Sequence, residues 1–153
     1  MSSILAAVAL GSNDGDRAAH LDFAVERLRS LLQGLVVSDY RETPPEPPAD
    51  PLDTPFLNAA VVGRTSLSAR ALLDELLAIE RARGRERPHS GAPRTLDVDL
   101  VLLGDQVIRR PGLEVPHPRF RERTFVLEPL SQIAPDLVDP VTGLTVRELL
   151  KGR

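Results

Sequence analysis

The pattern of apolar and polar positions begins with an apolar run at residues 4–10, short enough for a buried strand, which breaks into the dense turn chemistry of Gly11-Ser12-Asn13-Asp14-Gly15-Asp16. From Arg17 the period becomes helical. Leu21, Val25, Leu28 and Leu32 recur on one stripe, with Asp14 or Asp16 placed to cap the helix and Gly34 to stop it. A second strand is expected over residues 35–41, carrying Tyr40 in a partly exposed position. Pro44, Pro45, Pro47, Pro48, Pro51 and Pro55 then deny the chain both helix and ladder hydrogen bonding, so a loop must lead to a third strand at residues 56–62. Because short apolar elements flank it, this loop reads as a binding loop or lid and not as a linker. Ser68 can cap a second helix with Leu72, Leu73, Leu76, Leu77 and Ile79 on its apolar face and Gly84 at its end. After an apolar strand at residues 96–103, Gly104-Asp105 and Gln106-Val107-Ile108 suggest a tight hairpin. Pro116-His117-Pro118 opens a further loop, and residues 125–133 and 146–150 read as short helices packed at the end.

The order strand, helix, strand, strand, helix, strand predicts an α+β fold of the ferredoxin-like, split βαβ kind: a mixed or antiparallel sheet with two main helices on one face. At 153 residues, 42% hydrophobic and 27% charged, the chain is expected to form one domain over residues 1–153. A formal net charge of -3 gives no reason to expect a nucleic-acid partner. With no cysteine, disulfide and thiolate chemistry are excluded, and three separated histidines make no zinc pattern. The first ten residues lack a basic leader and are too short an apolar stretch for a membrane span, so a cytoplasmic protein without a membrane partner is expected.

Chemistry concentrates in Pro93-Arg94-Thr95-Leu96-Asp97-Val98-Asp99-Leu100. Strand geometry sends Asp97 and Asp99 to one face and Leu96, Val98 and Leu100 to the other. Two neighbouring carboxylates either share a proton or hold a cation between them, and a hard ion such as magnesium is the simplest occupant. On the acid pair alone, a solvent-facing pair of solubilising groups is an equal reading. Arg94, closing a basic segment that starts at Arg81, favours the cation, because it offers a fork for phosphate oxygens beside the metal. Asn58, a polar residue inside an apolar strand, needs partners, and by itself a neighbouring backbone is the commoner one.

Six blocks, Ala9-Leu10-Gly11-Ser12-Asn13, Tyr40-Arg41-Glu42-Thr43-Pro44-Pro45, Phe56-Leu57-Asn58-Ala59-Ala60, Pro93-Arg94-Thr95-Leu96-Asp97-Val98-Asp99, Val115-Pro116-His117-Pro118 and Arg123-Thr124-Phe125-Val126-Leu127-Glu128-Pro129-Leu130, cover nearly the whole chain. In order and spacing they resemble the 6-hydroxymethyl-7,8-dihydropterin pyrophosphokinase family of folate biosynthesis. The resemblance implies transfer of pyrophosphate from ATP to the pterin hydroxymethyl group with release of AMP, by a monomer whose partners are ATP and the pterin. It makes Asp97 and Asp99 ligands of two magnesium ions, and places Arg94 and Arg87 beside them in the catalytic set. Glu80, Arg85, Arg94, Leu100, His117 and Arg123 are the implied ATP-binding residues. For the pterin, it implies backbone contacts from Thr43, Pro44 and Pro45, Asn58 at the ring edge, and Phe56 and Phe125 on the two ring faces. The chain departs from the family pattern at Ser90-Gly91, where a basic residue and tryptophan are usual, and at Gly112, where some members carry arginine. Arg87 is then expected to take more of the phosphate-binding role. The alternative is a non-catalytic pterin- or nucleotide-binding relative with an eroded phosphate loop.

Overall fold

A computed structural model describes residues 2–44, 54–84 and 95–153. Four main strands, β1 (Ile4–Ser12), β2 (Gln33–Val37), β4 (Phe56–Thr65) and β5 (Asp97–Leu103), form a sheet in the order β2-β4-β1-β5, and the short β3 (Arg41–Thr43) also pairs with β4. Every pairing in it is antiparallel.

Helix α1 (Arg17–Arg29) starts where expected, with the Asp16 side chain accepting from the Ala19 N–H at 3.1 Å. It stops sooner than the sequence suggested. Ser30 closes it, donating from both its N–H and its hydroxyl to the Arg27 carbonyl. Gly34 lies inside β2 at φ +63°, where the ladder to β4 shifts register between Gln33 and Val36. The expected strand over residues 35–41 is therefore two elements, β2 and β3, with Ser38 bridging the gap: its hydroxyl accepts from the Ala60 N–H at 2.8 Å. Helix α2 (Ala69–Ala82) is capped by Ser68, as predicted.

Leu21, Ala24 and Leu28 of α1 and Leu72, Leu76 and Ile79 of α2 pack on the sheet face that carries Ala6, Val8, Leu10, Val98 and Leu100. The opposite face is covered too. Helices α3 (Thr124–Ile133) and α4 (Val146–Lys151) do not pack at the end, as expected, but bury Val126, Leu127, Leu130, Val146 and Leu149 against Ala7, Ala60 and Val62, around a fully buried Phe120. Alanines on that face keep the sheet surface low enough for α3 to approach. The fold is α+β: an antiparallel sheet with, among the described residues, four α-helices on its two faces.

The expected hairpin at Gly104 is displaced. Strand β5 pairs with β1, and the hairpin forms one step later between β6 (Ile108–Arg110) and β7 (Leu113–Val115). Gly104 instead turns the chain while donating to the Leu5 carbonyl at 2.8 Å.

Candidate functional site

The register gathers the polar residues of the sheet into rows. Asp97 of β5 lies opposite Gly11 of β1, which lies opposite Asn58 of β4, which lies opposite Arg41 of β3. One row along, Asp99 is opposite Ala9 and Ala9 opposite Ala60. Ala60 belongs to the α3 side of the sheet, whereas Val98 and Leu100 belong to the α1/α2 side. Asp97 and Asp99 therefore share one face, as alternation predicts, and that face also holds Asn58 and Phe56.

The centre of the row carries no side chain, because Gly11 stands there. A Cβ on Gly11 would stand 3.1 Å from Asn58 Oδ1 and 3.8 Å from Phe56 Cδ1, so glycine leaves room for the amide to lie over the sheet. Asn58 is only 4% exposed, and its Nδ2 donates to the Thr43 hydroxyl at 2.6 Å. A primary amide has two hydrogens and a carbonyl oxygen, more capacity than that single bond uses. Thr43, Phe56 and Asn58 thus form one polar and aromatic corner at the β3–β4 end, while Pro44 is exposed beside it.

The β5 edge is built differently. Glu80, in the last turn of α2 and 2% exposed, accepts from the Val98 N–H at 2.7 Å. Val98 is the residue between the two acids. The carboxylate holds the outward backbone of β5 at the point that sets the aim of Asp97 and Asp99. Three residues on, β5 has one residue more than β1: Val8 faces Leu100 and Ala7 faces Leu102. At this bulge Val101 and Leu102 both contribute to the α3 side, and the Val101 carbonyl accepts from the His117 N–H at 2.9 Å. Nothing in the apolar run of residues 100–103 marks the bulge in advance.

Between α2, the β5 edge and β7 lies a cavity of about 300 Å³ lined by Leu73, Leu77, Glu80, Asp99, Leu100, Leu113, Glu114 and His117, among others. Three of the expected nucleotide-side residues, Glu80, Leu100 and His117, meet here beside Asp99. Burial, then the charges of Arg123 and Arg119, push the His117 pKa down and keep the imidazole neutral. Its Nδ1 accepts from the Arg119 N–H at 3.1 Å, so the proton of the neutral ring sits on Nε2 as a donor. Arg123 precedes α3 and lays its guanidinium 5.4 Å from the centroid of the Phe125 ring, which packs on the second core. Pro45, Arg85, Arg87 and Arg94, and with them the altered segment at Ser90-Gly91, lie outside the described residues.

Asp97, 9% exposed, and the more exposed Asp99 make a donor set that fits a hard, oxygen-seeking divalent cation. No group of three or more metal-binding side chains occurs among the described residues. Two carboxylates alone suit magnesium that keeps most of its positions for water and phosphate oxygens. Sequence reasoning missed the space over Gly11, which reads as turn chemistry although β1 runs on to Ser12, and the contributions of Leu73, Leu77 and Glu114 to the cavity. No described helix is long and apolar enough to cross a membrane.

The family model described as 7,8-dihydro-6-hydroxymethylpterin-pyrophosphokinase (HPPK) matches residues 7–135. The chain is 46% identical over 144 residues to the 2-amino-4-hydroxy-6-hydroxymethyldihydropteridine pyrophosphokinase of Methylorubrum extorquens, covering 92% of this chain and 88% of that one. It is 41% identical over 153 residues to the protein of the same name from Synechocystis sp., covering 95% of this chain and 74% of that one. Among solved structures, the Plasmodium falciparum HPPK-DHPS with pteroate superposes with a TM-score of 0.78 at 16% identity, over 99% of this chain and 42% of that chain. This chain thus spans less than half of that longer protein, and the likeness there is one of fold. The chain belongs to the 7,8-dihydro-6-hydroxymethylpterin-pyrophosphokinase family.

Proposed function

We propose that this chain is a transferase of folate biosynthesis that moves the pyrophosphoryl group of ATP to the hydroxymethyl group of 6-hydroxymethyl-7,8-dihydropterin and releases AMP. The observation that carries the reading is the row Asp97–Gly11–Asn58. It separates the acid pair from the amide corner by two strand spacings, about 10 Å. A bicyclic pterin seated at Asn58 can extend its one-carbon arm across Gly11 toward phosphates held at Asp97 and Asp99. Names carried by relatives at 41% and 46% identity support the same chemistry.

Asn58 and Thr43 take the polar edge of the pterin, and Phe56 and Phe125 its faces, each ring adding about 0.5–1.5 kcal/mol beyond area burial. Adenine and ribose occupy the cavity beside Leu100, His117 and Glu80, with His117 donating from Nε2. Asp97 and Asp99 would hold the magnesium, as two ions, and Arg94, Arg87, Arg85 and Arg123 would hold phosphate oxygens. Held there, magnesium would neutralise triphosphate charge and act as a Lewis acid toward the phosphoryl group. The hydroxymethyl oxygen attacks the β-phosphorus in line. A new O–P bond forms, the bond from that phosphorus to the α,β-bridging oxygen breaks, AMP leaves with that oxygen, and the hydroxyl proton passes to solvent. The chain's residues contribute position and charge and form no covalent intermediate.

The finer architecture we assign is ferredoxin-like, supported by the strand order β2-β4-β1-β5 with α1 and α2 on one face. In this reading the enzyme is a cytoplasmic monomer of one domain over residues 1–153, with no nucleic-acid or membrane partner. The test is AMP release from Mg-ATP with and without hydroxymethyldihydropterin. Pterin-dependent AMP formation is expected; binding of both ligands with no AMP above background would make the chain a binding relative and not an enzyme.

A further inference from the structure

At the β3–β4 end one cation ties three elements together. Arg17, the first residue of α1, donates from Nη1 to the Pro55 carbonyl at 2.8 Å, and the same Nη1 stands 3.6 Å from Glu42 Oε1. Pro55 immediately precedes Phe56 at the start of β4, and Glu42 precedes Thr43 in β3. The guanidinium therefore joins the entry of β4 to the exit of β3 from beneath, where the ladder has only the three pairs Arg41–Asn58, Glu42–Leu57 and Thr43–Phe56 to hold them. Its root is fixed, since Asp16 caps the helix one residue earlier through the Ala19 N–H.

We propose that Arg17 is a positioning residue for the pterin side of the site. It acts through the Pro55 carbonyl to fix the backbone that aims Phe56, and through it the spacing of Phe56 and Thr43 around Asn58. The Phe56 side chain already lies near the space over Gly11, so a shift of the Pro55–Phe56 peptide moves an aromatic wall of that space. The two arms are unequal. Glu42 is exposed, at 57% of its side chain, so its ion pair contributes little, while the bond to the carbonyl comes from a side chain only 25% exposed and is charge-assisted. Arg17 touches neither phosphate nor metal in this scheme, so its effect falls on the pterin and spares ATP.

This inference rests on the assignment of Phe56 and Asn58 to the pterin, and the experiment separates the two. Amide hydrogen exchange on the ligand-free protein tests the clamp directly. Arg17→Ala should speed exchange at Phe56 and Leu57 by about fivefold or more while the α1 core amides at Leu21 and Leu28 stay as in wild type. Steady-state kinetics test its consequence: KM for the pterin should rise by about tenfold, with kcat and KM for ATP within about twofold of wild type. Arg17→Lys should restore most of the pterin KM, and Glu42→Gln should change it by less than about twofold. Unchanged exchange at Phe56 in Arg17→Ala overturns the clamp, and so does equal loss toward both substrates. Faster exchange at Phe56 with an unaltered pterin KM confirms the clamp and removes Phe56 from the pterin site. A wild-type protein that forms no AMP overturns the enzymatic reading and leaves the exchange result to judge Arg17.

Discussion

The amide corner and the acid edge lie on the same face of one sheet, yet different forces hold them. The corner at Thr43, Phe56 and Asn58 sits inside a continuous ladder, with β1 on one side of β4 and β3 on the other, so backbone pairing sets its register and the Arg17 bond to the Pro55 carbonyl fastens its end. The edge at Asp97 and Asp99 belongs to the outermost strand, whose outer backbone is held by a glutamate from α2 and by an N–H from the His117 loop. Function at the corner depends on which side chains stand there and how much space they have. At the corner one charged side chain, Arg17, supplements the ladder, whereas at the edge a side chain and a loop stand in for the missing neighbour strand.

The sharpest test of this contrast is at the acids themselves. Asp97→Asn and Asp99→Asn each keep the strand and lose a hard anionic ligand, so turnover at saturating magnesium should fall at least about tenfold, or 1.4 kcal/mol, with an unchanged circular dichroism spectrum. A variant that keeps more than that is not a metal ligand. Glu80 comes next. Glu80→Gln retains an oxygen acceptor for the Val98 N–H, whereas Glu80→Leu strands that N–H in a buried place at a cost of about 1–3 kcal/mol. Leucine should raise the magnesium concentration needed for half-maximal rate and glutamine should raise it much less. Equal effects of the two would show that the carboxylate acts on a ligand and not through β5.

At the corner, Asn58→Ala should weaken pterin binding by about 1–3 kcal/mol and leave ATP binding nearly intact, as separate calorimetric titrations can show. Gly11→Ala should do part of the same by crowding Asn58 Oδ1, which a Cβ would approach to 3.1 Å. A loss shared equally by both ligands would make the corner structural. The smallest effect lies away from both regions. Burial raises the Asp139 pKa, but hydrogen bonds from Arg121, Thr142 and the Val141 N–H, with the Arg121 charge, outweigh it and hold the carboxyl below its usual range. Because the folded pKa is depressed, this stabilisation is complete above the unfolded value near 3.8 and is lost as pH falls through the folded one. Asp139→Asn should therefore flatten the decline of Tm below about pH 4 and change the rate at neutral pH little.

Much of this was legible in the sequence. Alternation alone puts Asp97 and Asp99 on one face, and residue type marks Ser68 as one cap and narrows the other to Asp14 or Asp16, of which Asp16 serves, because both signals are local. The failures are equally physical. Gly34 reads as a helix stop although Ser30 closes α1 four residues earlier, since a glycine suited to positive φ ends a helix and bends a strand equally well and sequence does not say which. The hairpin was placed at Gly104 because turn residues announce a reversal without saying which strand the chain will meet next. The bond from the Val98 N–H to Glu80 is missing from that reading because it spans a separation that no periodicity encodes. Helices α3 and α4 were found but not their face, because short apolar helices carry no address.

The outer backbone of β5 also bears on how the protein behaves when crowded. An edge strand with a long apolar sequence is a template for pairing with another chain. Here the Val98 N–H is taken by Glu80 and the Val101 carbonyl by the His117 N–H, and the bulge at Val101 breaks the regular spacing that an incoming strand would need. The groups that aim the acids thus also keep the edge from recruiting a second copy. Loosening them should cost solubility along with activity.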